Sequence, residues 1–218
     1  MNDYNAARKA KMQEKYNHIL EVAFKLFAEK GIELVTMTEI AKASDVSRAS
    51  LFLYFPSKTE LVIAISTWKW KEYIEWHNNL LSAEEMEKLT GAEWLKLYIE
   101  SFLDLYRDHK DLLRFNYNFN SFLAYQKGTE EQKQPYQKMV DVLGTQFHEL
   151  YERGRHDGTL NDDVPEQTMF SSVFHIMLAA VTRYAVGLAI VNESAPESEL
   201  VMLADMMLSR FTKKKEDI

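Results

Sequence analysis

The side chains best suited to bond-making chemistry are scattered in this sequence. Its six histidines stand at 18, 77, 109, 148, 156 and 175, with none paired at i,i+4 and no His-Glu-x-x-His run. No helix face therefore offers the spacing of a zinc hydrolase. There is no Gly-rich phosphate loop and no Gly-x-Ser-x-Gly elbow. Cysteine is absent, which removes thiolate ligands, thiol nucleophiles and disulfides. The acid pairs Asp104/Asp108 and Asp162/Asp163 have spacings usual for solvated surfaces and helix caps. Catalysis, a metal and a cofactor are not expected. What remains is a chemistry of hydrogen bonds and fixed charge, and its densest patterned stretch is TMTEIAKASDVSRASLFLYFPSKTEL, residues 36–61.

That stretch carries three helix-start signals. Thr36 stands three residues before Glu39, and Ser57 three before Glu60, the spacing of a reciprocal capping box. Between them Ser47 is placed to cap a third helix. Three starts so close together dictate short helices joined by tight turns. Ile40, Ala41, Val46, Leu51 and Phe55 can pack those helices on Phe24 and Phe27. A stubby helix held this way can enter a DNA major groove about 12 Å wide while its neighbours rest on phosphates.

The pattern of Thr, then Ile-Ala, then a turn with Val-Ser, then Leu-Phe-x-Tyr-Phe and Lys-x-x-Leu, preceded by FAEKG, resembles the TetR family of bacterial transcription regulators over residues 16–62. The resemblance implies that Arg48 and Ser50 face base edges, with Arg48 able to grip guanine through two hydrogen bonds. It implies phosphate contacts for Thr36, Tyr54 and Lys58; Thr38 and Ser47 are counted with them. Leu53 touches a thymine methyl or packs inward, and Arg48 taken alone also reads as a solvated surface residue. Arg8, Lys9 and Lys11 form either a DNA-reaching arm or a solvated tail. Three positions depart from the family pattern: Asp45 where Gly is common, Phe52 where Tyr is usual, and Leu53 where His or Tyr is frequent.

The whole chain reads as all-α, with about nine helices. A three-helix DNA-binding domain is expected over 1–56 and a C-terminal helical bundle over 57–218. Its 218 residues include only four Pro and seven Gly, and the apolar residues recur at helical spacing. The first helix is read from about residue 8 to Lys30, the second and third at about 37–43 and 48–54, and the fourth at about 57–80. The later ones are read at about 91–108, 110–126, 132–154, 165–191 and 197–212, with SAEEMEKLTG as a polar connection. The net charge of −7 is uneven: residues 1–60 hold nine Lys/Arg against eight Asp/Glu, the remainder seventeen against twenty-five. A DNA-binding head on an acidic body has this asymmetry. With no secretory signal and no stretch long enough to span a bilayer, a soluble, cytoplasmic protein without membrane contact is expected.

The aromatic residues of the body form stripes: Trp94, Tyr98 and Phe102 on the fifth helix, then Phe115, Phe119 and Phe122 on the sixth. Phe147, Tyr151, Phe174 and Met177, with Asn118 and His175, close the same space. These stripes read as a packed core. The resemblance implies instead a pocket for a small effector, which such a lining makes lipophilic or aromatic. The ninth helix has one stripe of Leu200, Leu203, Met207, Leu208 and Phe211 and a second flank of Val201, Met202 and Met206. Two apolar flanks need two partners. Small residues on the eighth helix, among them Ala180 and Gly187, permit close approach. A homodimer through the eighth and ninth helices is expected, with Ala180, Gly187, Leu200, Leu203, Met207 and Phe211 at the interface. Partners are thus an operator DNA, a second copy and an unknown small effector. The rival reading is an all-helical, protein-binding adaptor without DNA affinity.

Overall fold

The computed structural model describes residues 2–126, 129–188 and 196–213. Among them the backbone forms ten helices and one isolated bridge, Leu160 with Thr212. In chain order these are α1 (Asn2–Lys30), α2 (Met37–Ala43), α3 (Arg48–Tyr54), α4 (Lys58–Asn78), α5 (Ala83–Lys88), α6 (Gly91–Asp108), α7 (Lys110–Gln126), α8 (Glu130–His156), α9 (Glu166–Ala185) and α10 (Pro196–Phe211). None is long and apolar enough to cross a membrane.

Several boundaries differ from the sequence expectation for local reasons. α1 begins at Asn2 rather than near residue 8, so Arg8, Lys9 and Lys11 are exposed positions on a helix, not a loose arm. The stretch read as a polar connection folds into α5. There Ser82 accepts from the Glu85 N–H at 3.3 Å, and its own N–H donates to the Glu85 carboxylate at 2.8 Å. Gly154 does not stop α8, which runs on to His156. The eighth expected helix, here α9, ends at Ala185 rather than near Val191, because Gly187 takes φ +75° and the chain turns away. The turn expected over 192–195 and the tail beyond 213 lie outside the described residues.

The chain divides into two compact units, Met1–Lys71 with Arg114–Gln137, and Glu72–Leu113 with Lys138–Ile218. This is not a division at residue 56. Instead, the larger part of α7 belongs with α1 to α3 and the first part of α4, because its apolar stripe is buried there. Phe115 lies 5.6 Å from Phe24 and 6.4 Å from Phe27, ring centre to ring centre, and all three are buried with Ile19, Ala23, Ile40 and Leu51. The second unit buries Leu95, Ile99, Phe147, Met169, Val173, Met177, Val181 and Leu200.

The turn between α2 and α3 is tight. Ser44 is buried and donates its hydroxyl to Ile40 O at 2.8 Å, while Val46 N–H donates to Ala41 O at 3.0 Å. Asp45 between them takes φ +51°, the left-handed conformation that the Gly-to-Asp departure suggested. Asp tolerates this region better than most residues. Asp45→Val is expected to cost about 1–2 kcal/mol, whereas Asp45→Gly leaves stability level or slightly higher. Urea unfolding followed by circular dichroism measures both.

Candidate nucleic-acid interface

α3 is held at both ends. Ser47 caps it, its hydroxyl oxygen accepting from the Ser50 N–H at 3.0 Å, and Leu51 anchors it in the core with no exposure. Phe55, which follows, stacks 4.9 Å from Tyr16 of α1. With its inner side fixed, the outer side is decided. Arg48 is exposed, with its guanidinium carbon 5.6 Å from the Phe52 ring centre. Leu53 is 87% exposed, so the inward-packing reading of that residue does not hold. Ser50 is half-buried and shares a 2.8 Å hydrogen bond with the Ser47 hydroxyl, so it serves the cap as well as the outer side.

The flanking residues are placed less uniformly. Thr36 caps α2, accepting from the Glu39 N–H at 3.1 Å, and remains exposed, as does Thr38. Glu39 is held by Lys30, whose ammonium keeps that carboxyl below the usual range. Tyr54 is half-buried beside Tyr16, at 6.4 Å between rings. Lys58 is drawn inward: its ammonium donates to Glu33 O at 3.3 Å and lies 5.9 and 6.0 Å from the Phe27 and Phe122 rings. Burial pushes its pKa down. To meet a phosphate, this lysine must leave that carbonyl.

Comparison with known proteins bears on this surface. Residues 19–65, which run from α1 through α2 and α3 into α4, match the family described as bacterial regulatory proteins, tetR family. That segment is a TetR-family N-terminal region. An uncharacterized HTH-type transcriptional regulator of Bacillus subtilis, YuxN, is 30% identical over 137 residues, which are 63% of this chain and 44% of that protein. The chain spans less than half the length of the first curated relatives it matches. Among solved structures, a TetR transcription regulator from Haloarcula marismortui superposes with a TM-score of 0.72 at 16% identity, covering 92% of this chain and all of that one. The regulator FadR of Bacillus subtilis, solved with stearoyl-CoA, gives 0.68 at 20% identity over 89% and 98% of the two chains. At such identities the likeness is one of fold.

In the second unit, α4, α5, α6 and α8 line a cavity of about 280 Å³. Trp94 and Tyr98 from the expected set reach it. The others do not. Phe102, Phe147, Tyr151 and Met177 are buried in the unit's own packing, with Phe147 5.3 Å from Tyr98 and 5.2 Å from Phe170. Phe174 is half-buried beside Phe102, and His175 is exposed. Phe115, Asn118, Phe119 and Phe122 belong to the N-terminal unit, where the Asn118 amide donates to Arg114 O at 2.9 Å. The residues missed are those of 77–86, among them His77, Leu80, Leu81 and Met86, and Gln146 and Glu149 of α8. Ser82 and Glu85 carry the same spacing that marked α2 and α4, and it was the signal available.

The expected dimer stripe also needs correction. Leu200 and Phe211 are buried in the chain's own core, Leu203, Met207 and Ala180 are half-buried, and Gly187 is an exposed turn residue. The uncovered side of α10 is the second flank: Val201, Met202 and Met206 are 37%, 54% and 57% exposed. Ile176 of α9, also exposed, lines one groove with Met206.

His148, Glu152 and Glu166 bring possible metal-binding atoms within 4.8 Å of one another, and no other such group occurs among the described residues. His148 Nδ1 lies 3.0 Å from a Glu166 oxygen, and that hydrogen bond raises the imidazole's pKa. The ion pair is reason enough for their proximity.

Proposed function

We propose that the protein is a sequence-specific, homodimeric DNA-binding transcription regulator, acting as a repressor, whose operator affinity falls when a small lipophilic molecule occupies the second unit. The observation that carries it is α3: capped by Ser47, anchored by Leu51, and presenting Arg48 and Leu53 outward. In a twofold complex two such helices read half-sites about 34–36 Å apart, or a multiple of that. Val201, Met202 and Met206, with Ile176, supply the apolar face for the second copy, so α9 and α10 remain the dimer elements. α4 runs from the N-terminal unit into the second one, the boundary falling after Lys71, and it carries the coupling. A coupling of about 1–3 kcal/mol changes operator affinity roughly 5- to 150-fold.

Selection from a random double-stranded DNA library, followed by gel shifts, tests the reading. A two-half-site sequence is expected to emerge, and recovery of no preferred sequence defeats the proposal. If the dimer neutralises roughly 4–8 phosphates, log K falls against log salt with a slope of about −4 to −7; a slope near zero removes the electrostatic part. Sedimentation at micromolar concentration is expected to show a dimer, and Met202→Lys with Met206→Lys to shift it toward monomer.

A further inference from the structure

The cavity of the second unit is walled by two kinds of structure. Trp94 and Leu97 of α6 and Leu150 of α8 belong to long helices, and Leu150 is only 1% exposed. Leu80, Leu81 and Met86 line it from the end of α4 into α5. No residue of 81–89 is buried: Leu81, Met86 and Leu89 are half-buried and the other six are exposed. Six residues are too few for a helix to persist alone, and a segment that buries so little draws little stability from packing.

What joins this segment to the rest of the unit is therefore informative. Its capping box, Ser82 with Glu85, and the Lys88–Glu84 pair at 2.7 Å lie wholly within it. Among the described residues, every hydrogen bond from 81–89 to another element ends on one guanidinium. Arg153 Nη1, on α8, donates to Met86 O, Glu87 O and Leu89 O at 2.9, 3.1 and 3.0 Å. These carbonyls close the C-terminal end of α5, where a helix is negative and a cation is held best. The Arg153 Cζ also lies 5.3 Å from the Trp94 ring centre, so one side chain bridges the segment and the α6 wall. The flanks are fixed independently of it. Before the segment, buried Tyr73 donates its hydroxyl to Ser101 O at 2.5 Å; after it, the Gly91 N–H donates to Asp157 at 2.8 Å.

We infer that residues 81–89 are a lid on this cavity and that Arg153 is its latch. When the guanidinium releases the α5 carbonyls, the segment lifts between its two fixed flanks and opens a way to Trp94, Leu97 and Leu150. The capping box and the Lys88–Glu84 pair travel with α5, so the hydrogen bonds that break are those of Arg153, and water replaces them on both sides. The inference goes beyond the sensing role proposed above, because access to the cavity is read without reference to DNA.

Thiol labelling of the full chain tests it. The sequence has no cysteine, so one introduced thiol reports alone. Leu150→Cys stands on the cavity wall; Met177→Cys is buried in the same unit and does not line the cavity. With iodoacetamide, Leu150→Cys is expected to react at least about tenfold faster than Met177→Cys, since it needs only local opening. Arg153→Met keeps an apolar stem beside Trp94 and removes the donors. It is expected to speed labelling of Leu150→Cys by about 10- to 100-fold, the worth of charge-assisted bonds, and that of Met177→Cys by less than about twofold. Equal rates for the two thiols, no gain at Leu150→Cys, or the same gain at both overturns the lid. Hydrogen exchange on the cysteine-free chain gives a second reading should a cysteine variant fail to fold. The Met86 and Leu89 amides, bonded to Ser82 O and Met86 O, are expected to exchange faster than those in the middle of α6, and faster again in Arg153→Met. Protection equal to that of α6 overturns the lid as well. A lid that opens in a protein whose operator affinity no ligand alters defeats the sensing role and leaves the lid standing.

Discussion

Replacing Arg48 with alanine is expected to lower affinity for the selected operator by about 2–6 kcal/mol in a twofold complex, roughly 30- to 10⁴-fold, with little change in melting. In the proposed complex each copy would lose a two-pronged base contact worth about 1–3 kcal/mol. The fold loses little, because Arg48 is exposed and lies, among the described residues, against the Phe52 ring. Arg48→Lys separates charge from geometry. It keeps the cation and therefore the salt slope and the binding to random DNA, but it lacks the planar fork, so discrimination between bases is lost. Gel shifts on the selected site and on a scrambled one measure both quantities. If Arg48→Ala binds the selected site as tightly as the parent, α3 is not the reading helix.

The second large effect is on stability and comes from a glycine. A methyl group built on Gly91 lies 2.1 Å from Gly154 Cα and 2.3 Å from Gly154 N, so the obstacle is backbone. The crossing is locked as well as close. Asp157 accepts from the Gly91 N–H at 2.8 Å, and Thr159 accepts from the Ala92 N–H at 3.0 Å, tying the start of α6 to the residues after α8. Gly91→Ala is therefore expected to destabilise the second unit by about 3 kcal/mol or more. Gly154→Ala meets Leu160 Cγ and Cδ1 at 2.3 and 2.4 Å, and because Leu160 is buried this substitution is expected to destabilise as well. Gly144, in the middle of α8, has nothing within 4 Å of the added methyl, and Gly144→Ala is expected to stabilise by about 0.5–1 kcal/mol. Urea unfolding of the three variants checks the order; a Gly91→Ala protein as stable as Gly144→Ala refutes the close crossing. Because Trp94 follows Gly91 by one helical turn, the same substitution is expected to disturb the cavity.

Local signals were legible in the amino-acid order because they depend on neighbours a few bonds apart. Thr36, Ser47 and Ser57 announced α2, α3 and α4 through cap hydrogen bonds that span three residues, and those bonds are present, although the Glu39 carboxylate turns to Lys30 and the Glu60 carboxylate to the Ser57 hydroxyl instead of closing the reciprocal half. Asp45, standing where the family pattern commonly has Gly, marked the turn through backbone sterics. Even α5 was written in Ser82 and Glu85. Periodicity also told which residues of α10 are apolar.

Periodicity does not say which partner an apolar face meets, and there the tertiary structure decided. Phe115, Phe119 and Phe122 have the same spacing whether they line a cavity or fill a core, and packing on Phe24 and Phe27 assigns them to the N-terminal unit. Leu200 and Phe211 were as plausible for a second subunit as Met202 and Met206 until burial separated the two flanks. Leu53 was undecided between core and surface, because one residue on a two-turn helix carries no period of its own. Whether Gly91 and Gly154 touch, and whether Arg153 meets the carbonyls of Met86 and Leu89, depends on atoms brought together from far along the chain. No rule of spacing contains that information.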